Sequence, residues 1–185
     1  MSTTIPNAFA DVLRVPEVQT RRFADDGTVP NNPVLPVLVL RQAVRTEAAD
    51  LARTFERVFR AHDWRGQWRD GIFSYHHYHS TAHEVLGVAA GSARVQLGGP
   101  DGGVFDVDAG DVLVLPAGVA HKNLDAASDF LVVGAYPEGQ DWDLLRGRPG
   151  ERPKADRNIE QVSLPDRDPV YGDEGPLVGH WGLTP

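Results

Sequence analysis

The sequence GIFSYHHYHSTAHEVLGVAAG occupies residues 71–91 and contains four histidines and one glutamate. Residues two apart on an extended strand point to the same face, so His77 and His79 share one face and His76 lies on the other. A short polar connection follows, and a new strand begins at Glu84. If the two strands are antiparallel neighbours, Glu84 lies level with the two histidines. The stretch therefore predicts two imidazoles and one carboxylate at a common point.

A second stretch, further along the chain, supplies one more histidine. The residues Pro116-Ala117-Gly118 form a predicted turn, and His121 begins the strand that follows it. Three imidazoles and a carboxylate inside a barrel would be costly to bury without a metal ion. We therefore predict that one divalent transition metal is bound by four residues: His77, His79, Glu84 and His121.

The absence of cysteine limits the chemistry of this predicted site. The chain has 185 residues and no cysteine, which excludes disulfides, thiolate zinc sites, iron–sulfur clusters and thiol nucleophiles. Any metal must therefore be bound through nitrogen and oxygen. The aspartate-rich turns alone would suit calcium, but imidazole ligands favour Fe, Mn, Ni, Zn or Cu.

Short predicted strands separated by turn residues make up the middle of the chain. The strands cover residues 72–79, 84–89, 93–97, 104–107, 112–115, 121–124 and 130–135. The glycine cluster 98–103 is a hairpin turn between two of them. By alternation, Arg94 and Gln96 face outward. This pattern predicts an all-β fold of the sandwich or barrel type.

The remaining segments are predicted to extend this barrel core (71–136) within one domain, 1–185. Residues 1–45 are rich in proline and form a predicted N-terminal arm with short edge strands. Residues 137–185 have few apolar side chains and form a predicted C-terminal tail that packs on the barrel.

One helix is predicted, over residues 46–62. Thr46 is the predicted cap, and acidic residues near it suit the positive end of a helix. An apolar stripe at helical spacing gives the helix a face to bury against the barrel: Ala48, Leu51, Phe55, Val58 and Phe59.

Charge and hydropathy exclude two classes of partner. The net charge is −8, and basic residues alternate with acidic ones, which argues against a nucleic-acid partner. The N-terminus lacks the pattern of a signal peptide, and no apolar run is long enough to cross a bilayer. We therefore expect a cytoplasmic protein that does not associate with membranes.

Both stretches match the two motifs of the cupin family. In the first, Gly71, His77, His79, Glu84 and Gly91 stand at the spacings of that family. The second motif consists of Gly110, Pro116, Gly118 and His121. Cupins have an asparagine four positions after this histidine, whereas this chain has Asp125 there and Asn123 two positions on.

The chain also resembles a narrower group, the YjlB-like bacterial cupins. The resemblance covers residues 68–79 and 83–88, together with three shorter segments: 30–33, 96–99 and 134–137. It implies a cupin-type jelly-roll β-barrel with one N-terminal helix, a bound metal and, by analogy, a homodimer.

The resemblance implies a function only in outline. Cupins with a matching set of three histidines and one glutamate include dioxygenases, oxalate-acting enzymes and isomerases. The resemblance therefore implies a metal-dependent enzyme, oxygenase-like, that acts on a small oxygen-bearing molecule. In that role Glu84 offsets the charge of the metal and is the candidate catalytic proton acceptor. The alternative is a non-catalytic cupin that binds a small molecule or a metal for sensing or storage.

Four residues near the predicted ligands have open roles. His76 and His83 lie on the opposite face, so hydrogen bonding at the surface or behind the ligands is favoured over direct ligation. Tyr75 has the parity of His77 and is predicted either to line the cavity or to pack with its hydroxyl satisfied. Asn123 is the candidate for the outer polar position of the second motif.

Overall fold

A computed structural model describes residues 3–183 of the chain. A single 3₁₀ turn, Asn7–Phe9, is followed by nine strands and three helices. The strands are β1 Glu17–Phe23, β2 Asn32–Arg41, β3 Trp64–Asp70, β4 Glu84–Ala90, β5 Ser92–Leu97, β6 Gly103–Asp108, β7 Val112–Leu115, β8 His121–Ala126 and β9 Leu131–Pro137. The helices are α1 Leu51–Ala61, α2 Lys154–Gln161 and α3 Pro176–Trp181.

The strands form two antiparallel sheets. One has six strands in the order β1-β2-β7-β4-β9-β3, and the other has three in the order β6-β5-β8. Neighbours in a sheet are frequently distant in the chain, as in a jelly roll. The predicted all-β jelly-roll fold is confirmed.

Side-chain alternation along the six-stranded sheet separates two hydrophobic clusters. On β4, Val85 packs in the cluster that contains Phe55 of α1. Leu86, the next residue, packs in the other cluster with Val95 of the three-stranded sheet. Because residues two apart share a face, Glu84 points with Leu86 into the space between the sheets. The fold thus places a carboxylate inside the barrel.

The helix is shorter than the pattern over 46–62 predicts. It begins at Leu51 because Asp50, and not Thr46, is the cap: the Asp50 side chain accepts a hydrogen bond from the Arg53 amide at 2.9 Å. Glu47 lies outside the helix and pairs with Arg14 at 3.0 Å. The predicted apolar stripe is buried from Leu51 onward.

The predicted N-terminal arm contributes two strands, β1 and β2, to the main sheet. Strand β2 lies between β1 and β7, and its Leu38 and Leu40 are fully buried. The sheet therefore extends beyond the predicted core of 71–136, and only β1 occupies the predicted edge position. The outermost residues of the predicted arm and tail, 1–2 and 184–185, lie outside the described residues.

Two further predictions differ from the structure. The predicted strand over 72–79 forms only isolated bridges, because its two paired residues have partners in different parts of the chain. His77 pairs with His121, and Tyr78 pairs with Leu145. The regular strand in this region is β3, which precedes it. The tail, in addition, contains two helices, α2 and α3, so the expected single helix is one of three.

No helix in residues 3–183 is long and apolar enough to cross a membrane.

Candidate metal centre

Three elements bring the four predicted ligand residues together between the two sheets. His77 and His79 lie in the irregular segment before β4, Glu84 begins β4 in the six-stranded sheet, and His121 begins β8 in the three-stranded sheet. Glu84 therefore approaches the histidines from the facing sheet. The predicted pairing of its strand with the His77–His79 segment is wrong, although its predicted proximity to the histidines is correct.

The three histidines form a compact, buried group. One ring nitrogen from each of His77, His79 and His121 lies within 4.8 Å of the other two. Their exposed fractions are 5%, 6% and 2%. Three neutral imidazoles at this separation offer lone pairs to a single point, so the triad could bind a metal ion.

Backbone carbonyls fix the orientation of all three rings. Nδ1 of His77 lies 3.3 Å from the carbonyl oxygen of Tyr75, and Nδ1 of His121 lies 3.2 Å from that of Val119. Nδ1 of His79 bonds to the carbonyl oxygen of Asp143. A carbonyl oxygen only accepts, so each Nδ1 carries the proton and each Nε2 keeps its lone pair. This arrangement is characteristic of histidines that bind metal through Nε2.

Glu84 is buried against two of these rings. Its Oε1 lies 3.4 Å from Nε2 of His79, and its Oε2 lies 3.3 Å from Nε2 of His121. Oε2 is buried and has no hydrogen-bond partner among the described residues. An uncompensated carboxylate oxygen in the interior is costly, and a cation at this point would remove that cost.

Tyr136 at the end of β9 is a site residue that sequence reasoning missed. Its hydroxyl donates a hydrogen bond to Oε1 of Glu84 at 2.9 Å and accepts one from Nε1 of Trp68 at 3.1 Å. The carboxylate is thus held from one side while Oε2 stays free. Only the pairing of β9 with β4 and β3 brings these residues together, and no local pattern indicates it.

The electrostatics favour an anionic carboxylate at Glu84 and a neutral imidazole at His77. Burial opposes ionisation of Glu84, but His79 and His121 together hold its pKa well below the usual range. Burial and the adjacent His121 ring lower the pKa of His77 to about 3. Burial also opposes protonation of His79, yet the Glu84 carboxylate raises the pKa of His79 above its ordinary value.

These observations fit a divalent metal ion. The donor set is three imidazole nitrogens and one carboxylate oxygen, which suits a transition metal better than calcium. The free Oε2 of Glu84 and the three fixed Nε2 lone pairs supply both the charge and the donors.

A cavity of about 330 Å³ opens onto this group. His77, His79, Glu84 and His121 all line it. The rest of the lining is mainly apolar: Gly66, Trp68, Arg69, Asp70, Gly71, Ile72, Phe73, Leu86, Tyr136, Trp142 and Leu144. The volume lies at the lower end of the range for small-molecule sites, about 300–1,000 Å³.

The loop after β9 forms part of the site and does not simply anchor the tail. The Asp143 carboxylate accepts hydrogen bonds from the amide and the hydroxyl of Ser80, at 2.6 and 2.5 Å. The same residue provides the carbonyl that orients His79. Trp142 stacks on Tyr136 with ring centroids 5.8 Å apart. The loop thus ties the segment of His79 to the wall of the cavity.

Gly118 fixes the approach to His121. It has φ of 92°, and a β-carbon there would lie 2.4 Å from the carbonyl oxygen of Asn31. Its amide donates to the carbonyl oxygen of His79 at 2.8 Å. A residue without a side chain is therefore required at this turn, as the sequence predicts.

Tyr75 and His76 lie outside the cavity lining. The Tyr75 ring stacks on Phe73 with ring centroids 4.9 Å apart. The Arg146 guanidinium lies over the Tyr75 ring, 3.6 Å from its centroid. Its contribution to the centre is the carbonyl that orients His77. His76 faces Lys122 and Gln96. Burial is the main cause that lowers the pKa of His76, and the positive charge of Lys122 lowers it further.

His83 and Asn123 also lie apart from the centre. The His83 ring packs on Trp181 with ring centroids 4.7 Å apart, and its Nδ1 accepts a hydrogen bond from the Ala117 amide at 2.9 Å. Asn123 donates its backbone amide to the Phe73 carbonyl at 2.9 Å, while its buried Oδ1 has no partner among residues 3–183. Neither residue lines the cavity.

Comparison with known sequences gives two matches. A family model described as Cupin matches residues 70–135. The uncharacterised protein YjlB of Bacillus subtilis (strain 168) is 42% identical over 165 residues, which are 89% of this chain and 97% of that protein.

Comparison with solved structures gives distant similarities. Acireductone dioxygenase from Bacillus anthracis, with a cadmium ion in its active centre, is 17% identical with a TM-score of 0.36, over 51% of this chain and 64% of that chain. DMSP lyase DddQ from Ruegeria pomeroyi DSS-3 is 13% identical with a TM-score of 0.34, over 80% and 58%. The match spans less than two thirds of either structure, and both are too distant to bear on the activity of this chain.

Proposed function

Because the chain belongs to the cupin family, in the group that contains YjlB, we propose that it is a metal-dependent enzyme acting on a small oxygen-bearing molecule. The observation that carries the proposal is the orientation of the three imidazoles. Each Nδ1 is bonded to a carbonyl, so three Nε2 lone pairs and one free carboxylate oxygen converge beside a cavity.

His77, His79, Glu84 and His121 would hold the metal. Four protein ligands leave about two positions of an octahedral ion open for a substrate or water. A bound divalent ion would supply Lewis-acid polarisation of a substrate oxygen and, in the case of iron, oxygen chemistry. The absence of cysteine also argues against a closed structural zinc site, which usually employs thiolates.

The chain's own residues would perform three further tasks. Glu84 would offset the charge of the ion and accept a proton from a bound molecule. Tyr136 keeps the Glu84 carboxylate in position through its 2.9 Å hydrogen bond. The apolar walls exclude water, which strengthens electrostatic interactions at the reacting end of the substrate.

Within this class we propose an oxygenase. The test is oxygen consumption by the iron-loaded protein, purified without a histidine tag, against catechols, β-diketones and thiols. Turnover by the wild type and its loss in His121→Ala support the proposal. Full occupancy with iron and no oxygen uptake with any of the three classes would count against an oxygenase.

The alternative is a non-catalytic cupin that retains a small molecule for sensing or storage. The feature that favours it is the depth of burial of the site, since all four predicted ligands are at most 6% exposed. Mass spectrometry of the protein before and after denaturation distinguishes the two functions. A molecule that is released unmodified after incubation with metal and oxygen indicates binding without turnover.

We expect a cytoplasmic protein without a nucleic-acid partner, and we expect a homodimer. Strand β1 is the sheet edge in the N-terminal segment and is mostly exposed, so it is the candidate surface for a second copy. Light scattering coupled to size exclusion tests the dimer, and a monomeric mass would refute it.

A further inference from the structure

Large apolar side chains are exposed at the mouth of the cavity. Phe73 is 45% exposed, Trp142 is 51% exposed and Leu144 is 37% exposed, and all three line the cavity. They are three of the eight large apolar residues that are exposed in the described part of the chain. Such a cluster around one opening indicates a surface that an apolar ligand covers.

The interior of the same cavity continues this apolar surface. Ile72 and Leu86 are buried members of the cluster between the sheets, and Trp68 packs against it. Trp142 and Tyr136, which also line the cavity, stack with an interplanar angle of 18°. Aromatic and aliphatic side chains therefore make up most of the cavity lining besides the four predicted ligands, together with the charged residues Arg69 and Asp70.

Arg69 and Asp70, the charged residues of the lining besides the predicted ligands, already make hydrogen bonds. Nε and Nη2 of Arg69 donate to the two carboxylate oxygens of Glu56 at 2.7 and 2.9 Å. Oδ1 of Asp70 accepts the amide of Gly71 at 2.7 Å. Among the described residues of the lining, no other cation is present to pair with a carboxylate or phosphate on the body of a ligand.

We propose that the substrate is an apolar, aromatic-sized molecule whose only strongly polar part is a chelating pair of oxygens. The chelating end lies at the histidines, and the apolar body lies against Trp142 and Leu144. Small dianions such as oxalate are disfavoured, because they have no apolar body to cover this surface and the one cation of the lining, Arg69, is paired with Glu56. This inference rests on the proposed function, since a metal must receive the chelating oxygens.

Trp142 is the residue to which we assign specificity. It is placed by its loop: the Thr81 hydroxyl donates to the carbonyl of Asp141 at 2.8 Å, and Asp143 is held by Ser80. The indole also meets His79 edge-on with centroids 5.6 Å apart. The side chain thus extends from the metal-binding end toward the solvent, where the body of a bound molecule would lie.

Two hydroxamic acids test the inference directly, because they share a chelating head and differ only in the body. Zinc-loaded protein, which is redox-inert, is titrated calorimetrically with acetohydroxamic acid and with benzohydroxamic acid. We expect the phenyl compound to bind at least about tenfold more tightly, because its ring leaves water for an apolar wall. Oxalate is titrated as the small dianion and should bind more weakly than benzohydroxamic acid.

Matched variants locate the preference. Trp142→Ala and Leu144→Ala should each reduce the preference for the phenyl compound by about threefold or more while leaving acetohydroxamic acid within about twofold. Leu124→Ala is the control, since Leu124 is similarly exposed, at 41%, but lies outside the cavity lining. It should leave both affinities unchanged.

The possible failures are distinguishable. If the protein binds zinc but prefers neither hydroxamic acid, or prefers oxalate, the substrate class is wrong and the metal site stands. If the preference exists but persists in both Trp142→Ala and Leu144→Ala, the assigned wall is wrong. If the protein takes up no zinc, the proposed function fails and this inference fails with it.

Discussion

The backbones of His77 and His121 exchange two hydrogen bonds, of 3.2 and 2.9 Å, and their imidazole centroids lie 4.0 Å apart. One histidine belongs to the irregular segment before β4 and the other begins β8. The paired backbone hydrogen bonds hold the two imidazole rings side by side. Two side chains from distant parts of the chain are therefore positioned by main-chain hydrogen bonds.

Tyr136→Phe should weaken metal binding without removing it. The variant deletes the hydroxyl that donates to Glu84 at 2.9 Å, and loss of such an outer partner typically lowers metal affinity by about 10- to 100-fold. Competition with a chromophoric chelator measures the change. Tyr171→Phe is the control, because its hydroxyl bonds to the Arg14 carbonyl away from the centre. Equal affinities in wild type and Tyr136→Phe would show that the hydroxyl does not support the ligand.

Gly118→Ala should destabilise the fold by more than backbone strain alone accounts for. Gly118 and Gly150 both have φ of 92°, but only at Gly118 does an added β-carbon meet backbone, at 2.4 Å from the Asn31 carbonyl. We expect a loss of about 1–2 kcal/mol for Gly150→Ala and about 2–4 kcal/mol for Gly118→Ala. Denaturant unfolding measures both free energies. Similar losses in the two variants would contradict the required close approach.

His83 should make the protein sensitive to acid. Burial lowers the pKa of His83 to about 4, and its Nδ1 accepts the Ala117 amide, so the folded state holds the ring neutral. The unfolded chain takes up the proton first, near pH 6.5. The contribution of this ring to the stability of the folded state is therefore complete above pH 6.5, and it is lost as the pH falls from 6.5 toward 4.

The measurement is the free energy of unfolding against pH, in the presence of a chelator, for wild type and His83→Gln. The glutamine does not titrate, so the wild type should lose stability relative to the variant over this interval. The pKa of His83 in the folded state lies about 2.5 below its ordinary value, which corresponds to a loss of unfolding free energy of the order of 3 kcal/mol. Parallel curves between pH 7 and 4 would show that His83 is not held neutral.

Much of the fold and part of the site could be predicted from sequence. Strand alternation and turn residues gave β4 through β9 nearly as observed, and parity correctly grouped His77 with His79. These features are local, because two-residue periodicity and glycine at positive φ depend on the adjacent residues alone.

The features that were missed depend on long-range pairing. Tyr136 reaches Glu84 only because β9 lies beside β4, and Glu84 faces the histidines from the opposite sheet. Trp142 lies in the segment that was predicted only to pack on the barrel, yet it is half-exposed at the cavity mouth. Strand β2 appeared to belong to an arm because of its prolines, although it is buried within the main sheet.

The central claim is that His77, His79, Glu84 and His121 hold one divalent metal, and elemental analysis of protein purified without a histidine tag tests it most directly. We predict about one equivalent of transition metal per chain in wild type and its loss in His77→Ala. His76→Ala is the matched control, because this adjacent histidine faces Lys122 outside the cavity lining. Folded wild-type protein that contains no metal and takes up none of Fe, Mn, Ni, Zn or Cu would contradict the claim, as would full metal content in His77→Ala.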